Sequence, residues 1–141
     1  MQAVATWRKG HEILLEDGRA HSVVVDLPPE AGGTSAGTTP VELSVLSLAG
    51  SLASTFVILA RKRRLDFSGV TLVLEGDVGS TPVTGFEGIH GTLRVRSRAD
   101  RTEVDAALRS ALDVCPVVRI FREARVPVNV VATVTGSGRT G

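Results

Sequence analysis

The sequence has one cysteine, Cys115, no tyrosine and only 4% aromatic residues. A lone cysteine excludes an internal disulfide framework, a four-cysteine zinc site and an iron–sulfur cluster, and it favours an intracellular protein. Sixteen basic residues against fifteen acidic ones give a formal charge of +1, so the charge balance predicts neither nucleic acid nor a membrane as a partner. The first residues lack the long apolar run of a secretory signal, and we expect a cytoplasmic protein.

The chain nevertheless contains enough apolar material for a core. Hydrophobic residues make up 43% of its 141 residues and charged residues 22%, which is typical of a globular domain rather than a disordered chain. A chain of this length buries roughly two thirds of its unfolded surface. We therefore expect one domain over residues 1–135, followed by a flexible C-terminal tail at residues 136–141.

A long apolar segment separates two β-rich regions. Short strands are predicted at residues 3–7, 12–15 and 20–26, followed by a Gly/Ser/Thr-rich loop at 31–39. Residues 40–65 predict a helix of about 24 residues, because Pro40 suits its first turn and the basic run 61–64 its last. This helix is apolar nearly all round, which is typical of a central buried helix or a membrane span. Its hydroxyl residues and the preceding strands favour the buried helix.

The second half predicts a sheet covered by helices. Its predicted strands and helices are strand 67–77, loop 78–85, strand 91–97, helix 101–114, helix 117–124 and strand 126–135. In the strand 91–97, Leu93 and Val95 alternate with Arg94 and Arg96, which indicates one solvent-exposed sheet face. Asp100 and Glu103 have the spacing of a capping box.

Cys115 and a row of hydroxyl residues are the candidate site. Pro116 would place the Cys115 thiol at a helix N-terminus, which favours the thiolate, although a lone cysteine between valines is also an ordinary core residue. On the long helix, the residues at intervals of three and four form one stripe of hydroxyls: Ser44, Ser47, Ser51 and Thr55. Either these hydroxyls bond back to the preceding turn beside a closely packed helix, or one of them, Ser51 above all, faces Cys115 in a pocket.

The remaining polar features predict no site. His11, His21 and His90 have neither metal-ligand spacing nor an acidic partner at a fixed offset, so we expect surface histidines and no metal. The glycine-rich loop lacks the spacing of a nucleotide fingerprint. The arginines have no interleaved aromatics to stack bases, which predicts a solvated helix end and strand face: Arg61, Arg63, Arg64, Arg94, Arg96, Arg98 and Arg101.

The order of elements and several strings resemble the OsmC/Ohr family, the osmotically inducible and organic hydroperoxide resistance proteins. The strings are Val25-Asp26-Leu27-Pro28 before Gly32-Gly33, Gly37-Thr38-Thr39-Pro40-Val41-Glu42-Leu43, Leu46-Ser47-Leu48-Ala49-Gly50-Ser51, Arg61-Lys62-Arg63-Arg64-Leu65 before Gly69-Val70, and Cys115-Pro116-Val117. The resemblance covers residues 7–134. It implies an α+β fold in an intertwined homodimer, whose long central helices are buried and packed on antiparallel sheet.

The resemblance also implies a chemistry from which this sequence departs. Family members reduce hydroperoxides with a helix cysteine, which attacks as thiolate, and a second cysteine in a Cys-Pro motif, which resolves the sulfenic acid. Cys115 matches the resolving cysteine, and Ser51 stands where the attacking cysteine belongs. Val41 follows Pro40 where the family has its activating Glu, and Glu42 is on another helix face. The family Arg corresponds to Arg8 or Lys9.

Three functions remain open at this point. The first is an OsmC-like dimer without the two-cysteine cycle, which keeps an interface pocket for a small apolar or oxidised ligand near Ser51, Arg8, Val41, Ser47 and Thr55. The second is a one-cysteine, thiol-dependent peroxidase in which Cys115 reacts with organic hydroperoxides. The third is a non-catalytic structural or partner-binding dimer. None of the three requires a cofactor.

Overall fold

The computed structural model describes residues 1–79 and 85–136. Its strands and α-helices are β1 (Val4–Lys9), β2 (Glu12–Glu16), β3 (Ser22–Val25), α1 (Pro40–Lys62), β4 (Phe67–Val78), β5 (Phe86–Ser97), α2 (Arg101–Val114), α3 (Pro116–Glu123) and β6 (Val128–Thr135). The α+β class predicted from the sequence is confirmed. The chain divides into two compact units, Met1–Ser44 and Val45–Gly141. The single domain predicted over residues 1–135 stays a prediction, and the predicted tail lies outside the described residues except for Gly136.

The first unit is a three-stranded antiparallel meander in the order β1-β2-β3. Trp7 pairs with Ile13, and Ile13 pairs in turn with Val25 on β3. Residues 17–21 join β2 to β3, and Gly18 in this turn has a positive φ of 73°, which glycine adopts without strain. Every residue of β1 is exposed within the described chain, so this edge strand presents both of its faces to solvent.

A buried carboxylate organises the loop after β3. Asp26 is only 2% exposed. Its Oδ1 accepts a hydrogen bond from the Leu27 N–H, and its Oδ2 accepts from the Thr34 N–H, the Thr34 hydroxyl and the Ala36 N–H. The third strand therefore ends at Val25, one residue earlier than predicted. The loop's N–H groups serve this internal anion, which accounts for a glycine-rich loop without a nucleotide fingerprint.

The second unit contains a mixed sheet in the order β4-β5-β6. β4 and β5 are antiparallel, whereas β6 runs parallel to β5, so the prediction of antiparallel sheet is wrong for this strand. The strand predicted at 91–97 begins at Phe86, because Gly88 and Gly91 interrupt the alternation without ending the pairing. Part of the predicted loop 78–85, residues 80–84, lies outside the described residues.

One face of this sheet carries the core. Leu93 and Val95 point into it while Arg94 and Arg96 are exposed, as predicted. Helix α2 begins with the predicted capping box, in which the Asp100 N–H donates to Glu103 Oε2 at 3.1 Å. The core residues contributed by the three helices are Leu48, Leu52, Phe56, Ala60, Val104, Ala107, Leu108, Ala111, Val118 and Phe121.

Helix α1 is less buried in the single chain than its composition predicts. It buries one row at intervals of four residues, Leu48, Leu52, Phe56 and Ala60, while Leu46 and Ile58 remain 56% and 54% exposed. The helix ends at Lys62 rather than at residue 65, because Arg64 adopts a positive φ of 57°. By length and hydropathy (mean 2.0) α1 is the one described helix that could cross a membrane, with 22% of its apolar window buried.

Candidate functional site at Ser51 and Cys115

Cys115 occupies the junction between α2 and α3. Its N–H donates to the Ala111 carbonyl at 2.9 Å, which closes α2, and its own carbonyl accepts from the Arg119 N–H at 3.1 Å, which opens α3. Pro116 follows at the first position of α3, where its missing N–H costs nothing. The side chain is 1% exposed and belongs to the core cluster. The thiol is thus at a helix N-terminus, as predicted, and it is also buried.

Ser51 reaches Cys115 from the middle of α1. Its Oγ and the Cys115 Sγ share a hydrogen bond of 3.2 Å in which either group can donate. The structure therefore brings together the two residues that sequence analysis paired across 64 positions. Ser51 is half-buried, so part of its side chain faces away from the core.

The other hydroxyls of the stripe behave differently. Thr55 Oγ1 donates to the Ser51 carbonyl at 2.8 Å, and Ser44 Oγ donates to the Pro40 carbonyl at 3.3 Å. These two hydroxyls follow the expectation of bonding back to the preceding turn. Ser47 is exposed. Ser51 differs from its neighbours because its hydroxyl is directed to a side chain outside its own helix.

The acidic residue near the start of α1 is committed to a cap. Glu42 Oε2 accepts hydrogen bonds from the Thr39 N–H at 2.8 Å, the Thr39 hydroxyl at 2.9 Å and the Thr38 hydroxyl at 3.1 Å. The Thr39 N–H, followed by the two hydroxyls, lowers the pKa of Glu42 below its ordinary value. Val41, at the position where the resemblance expects Glu, is half exposed and brings no charge. The carboxylate that could activate a thiol is thus engaged elsewhere.

The basic candidates of β1 share one partner. Arg8 Nη1 lies 3.7 Å from Glu12 Oε1, and Lys9 Nζ lies 4.0 Å from Glu12 Oε2. Both side chains are solvent-exposed, so these pairs add little stability. The choice between Arg8 and Lys9 for the family Arg stays open.

Two features escaped the sequence analysis. His21 Nδ1 lies 2.9 Å from Asp17 Oδ2, and His90 lies 3.4 Å from both Glu75 and Asp77, so both histidines have acidic partners that the sequence pattern did not indicate. Both are exposed, as expected of surface histidines. Asp26 lies shortly before Pro28-Pro29 and a Gly/Thr-rich loop, and this pattern could have indicated a carboxylate that organises the loop. Within the described ranges, no group of three His, Cys, Asp or Glu residues is arranged to hold a metal ion.

A family model for OsmC-like protein matches residues 32–131. The chain belongs to the OsmC-like family. This OsmC-like chain matches none of the curated proteins significantly.

Solved structures share its fold. An OsmC-like protein from Mycoplasma pneumoniae superposes with a TM-score of 0.85 at 16% identity, covering 95% of this chain and 96% of the other. An organic hydroperoxide resistance protein OsmC from Legionella pneumophila gives 0.72 at 22% identity, covering 96% and 97%. One from Elizabethkingia anophelis gives 0.72 at 17% identity, covering 97% of each chain.

Proposed function

We propose that this OsmC-like protein is a homodimer that lacks the two-cysteine hydroperoxide reductase cycle and holds a small apolar or oxidised ligand in a pocket at the dimer interface. The observation that carries the proposal is the 3.2 Å contact between Ser51 Oγ and Cys115 Sγ. A serine hydroxyl neither ionises near neutral pH nor passes through a sulfenic acid, so this pair supports no disulfide cycle.

The exposed face of α1 supports the homodimer. At 100° per residue, Ser47, Gly50 and Ser54 lie opposite the buried row, and Leu46 and Ile58 flank them on either side. A Cβ built on Gly50 meets no atom of a neighbouring element within 4 Å. A flat face of small residues bordered by large apolar ones is suited to the close approach of a second helix.

The hydroxyl stripe supports a ligand pocket next to that face. Ser47 is one of the exposed small residues, and the half-buried Ser51 and Thr55 lie between them and the buried row of α1. Few polar groups beside an apolar surface are typical of a site for a small, mostly apolar molecule. Without the two-cysteine cycle but with a pocket, the proposed role of the protein is to bind a small ligand and not to reduce hydroperoxides.

Peroxide turnover tests the chemical half of the proposal. Wild-type protein should not consume cumene or tert-butyl hydroperoxide with any dithiol reductant. Ser51→Cys should place a second sulfur within bonding reach of Cys115, since the present contact is already 3.2 Å and a disulfide closes at about 2.05 Å. After limiting peroxide, that variant should lose two hydrogen atoms by intact mass. Its turnover should stay slight, because Glu42 is held in the helix cap.

Ser54→Cys is the matched control. Ser54 lies on the same helix but is exposed, so its thiol should form no intramolecular disulfide with Cys115. A Ser51→Cys protein that resists oxidation would contradict the proposed site geometry. Wild-type turnover that disappears in Cys115→Ser would replace the proposal with the one-cysteine peroxidase.

The structural-dimer alternative has one observation in its favour. Cys115 is packed in the core cluster at 1% exposure, which is the expectation for a cysteine with a purely structural role. A dimer that binds neither cumyl alcohol nor a fatty acid by calorimetry would favour this alternative. Binding of either compound that is lost in Ser51→Leu, with the fold intact, would support the pocket.

A further inference from the structure

The outer face of the β4-β5-β6 sheet carries a cationic row. Residues directly opposite one another in a sheet share a face, so the register places Arg94 between Thr71 and Thr133. The same register places Arg96 between Gly69 and Thr135. All of these side chains point away from the core face that carries Leu93 and Val95.

Within the described residues, Arg94 and Arg96 have no acidic partner, whereas the basic groups on either side of them do. His90 lies 3.4 Å from carboxylates of Glu75 and Asp77, and Arg98 lies 3.9 Å from Asp66. Arg94 and Arg96 form no ion pair with any residue in the described part of the chain. The face therefore offers two free guanidinium groups, each able to hold a carboxylate by two parallel hydrogen bonds.

The two arginines lie beside open space, with a glycine next to Arg96 and a cleft next to Arg94. A Cβ built on Gly69 would lie 3.6 Å from the Arg96 Cβ and 3.9 Å from its Cζ, so the Arg96 side chain extends over this glycine. Next to Arg94 a cleft of about 460 Å³ continues past Thr92, with Val73 and Val131 on its sides. Both valines are exposed, at 40% and 61%.

We propose that this face binds an acidic, extended segment of a partner protein. Side chains two residues apart on a strand are about 6.6 Å apart, which is also the spacing of alternate side chains in an extended peptide. Two carboxylates in a Glu-x-Glu pattern would therefore match Arg94 and Arg96, and a following apolar side chain would meet Val73 and Val131. Nucleic acid is a poorer match, because the described part of this face has no Phe, Tyr or Trp side chain for base stacking and only two free cations.

Fluorescence anisotropy with a labelled nonapeptide of alternating Glu and Ser tests the proposal. We expect saturable binding that weakens as sodium chloride rises from about 50 to 300 mM. Arg94→Ala/Arg96→Ala should weaken it at least tenfold. The control Arg61→Ala/Arg109→Ala removes the same charge from exposed helix positions and should change affinity less than twofold.

The controls make every outcome decisive. Equal binding by both double variants would overturn the proposal, because it would show a response to net charge alone. Tighter binding of an oligothymidylate than of the peptide, or no peptide binding by a folded wild-type protein, would also overturn it. A labelled Lys/Ser nonapeptide should not bind. The proposed function at Ser51 and Cys115 is independent of these results.

Discussion

Replacing Gly50 by alanine tests the proposed packing of a partner helix on α1. The substitution should stabilise an isolated chain, whereas it should weaken a dimer in which a second helix packs closely at this position. In an isolated chain, Gly50 is an exposed residue in the interior of α1 with open space around its Cβ position. Alanine at such a site stabilises a helix by about 0.5–1 kcal/mol, because glycine loses more backbone entropy on folding. For a domain of this size, that corresponds to a rise in Tm of roughly 2–6 °C.

A closely packed second helix reverses the expectation. In a two-fold dimer each substitution enters the interface twice, and a methyl group forced into a well-packed contact costs about 1–3 kcal/mol. The gain in helix propensity is smaller than this cost, so we expect Gly50→Ala to weaken dimerisation. Gly50→Leu should weaken it further, since its side chain would hold the two helices apart.

Sedimentation equilibrium and thermal unfolding at two protein concentrations measure the effect. Thr102→Ala is the control, because Thr102 is exposed in α2 and gains helix propensity without lying on the proposed interface. The reasoning is refuted if Gly50→Ala raises Tm as the control does while the dissociation constant stays unchanged. It is equally refuted if the wild-type protein is a monomer at micromolar concentration.

Three further predictions concern stability. Asp26→Asn should accelerate amide hydrogen exchange at Thr34 and Ala36, because the amide has one acceptor oxygen where the carboxylate uses two, and it lacks the charge that strengthens these hydrogen bonds. The pKa values of Asp26 and Glu42 are lowered in the folded state from 3.8 and 4.5. The stability that the two ionised carboxylates contribute is therefore complete above those values and is lost as the pH falls below them. Urea midpoints measured from pH 7 to 3 should fall less steeply in Asp26→Asn/Glu42→Gln than in the wild-type protein. Leu52→Ala should cost about 2–5 kcal/mol in urea unfolding, because Leu52 is fully buried.

Local patterns predicted the helices well. Pro40 and the capping box of Asp100 and Glu103 are short-range features, and both helices begin where these residues indicate. The start of α1 carries a second capping pair, Thr39 and Glu42, that the sequence analysis used only for its charge. These two helix starts depend on residues within one turn, so one sequence is sufficient to find them.

Pairings between residues far apart in the chain could be predicted less well from the sequence. No local feature reveals that β6 is parallel to β5, or that the Asp26 carboxylate meets N–H groups eight and ten residues away. The hydroxyl stripe left the contact between Ser51 and Cys115 as one of two alternatives, and only the resemblance to the OsmC/Ohr family favoured it. The sequence also could not show that Arg94 has no acidic partner in the described part of the sheet, because this depends on which side chains lie opposite it.

The parallel placement of β6 has a consequence for the order of folding. β4 and β5 are consecutive antiparallel strands and can pair as soon as both have left the ribosome. β6 reaches the other edge of β5 only after the chain has passed through α2 and α3. Until then β5 has one unpaired edge, along which another chain could add a strand. During synthesis, this edge of β5 is therefore open to aggregation until β6 has been made and has paired with it.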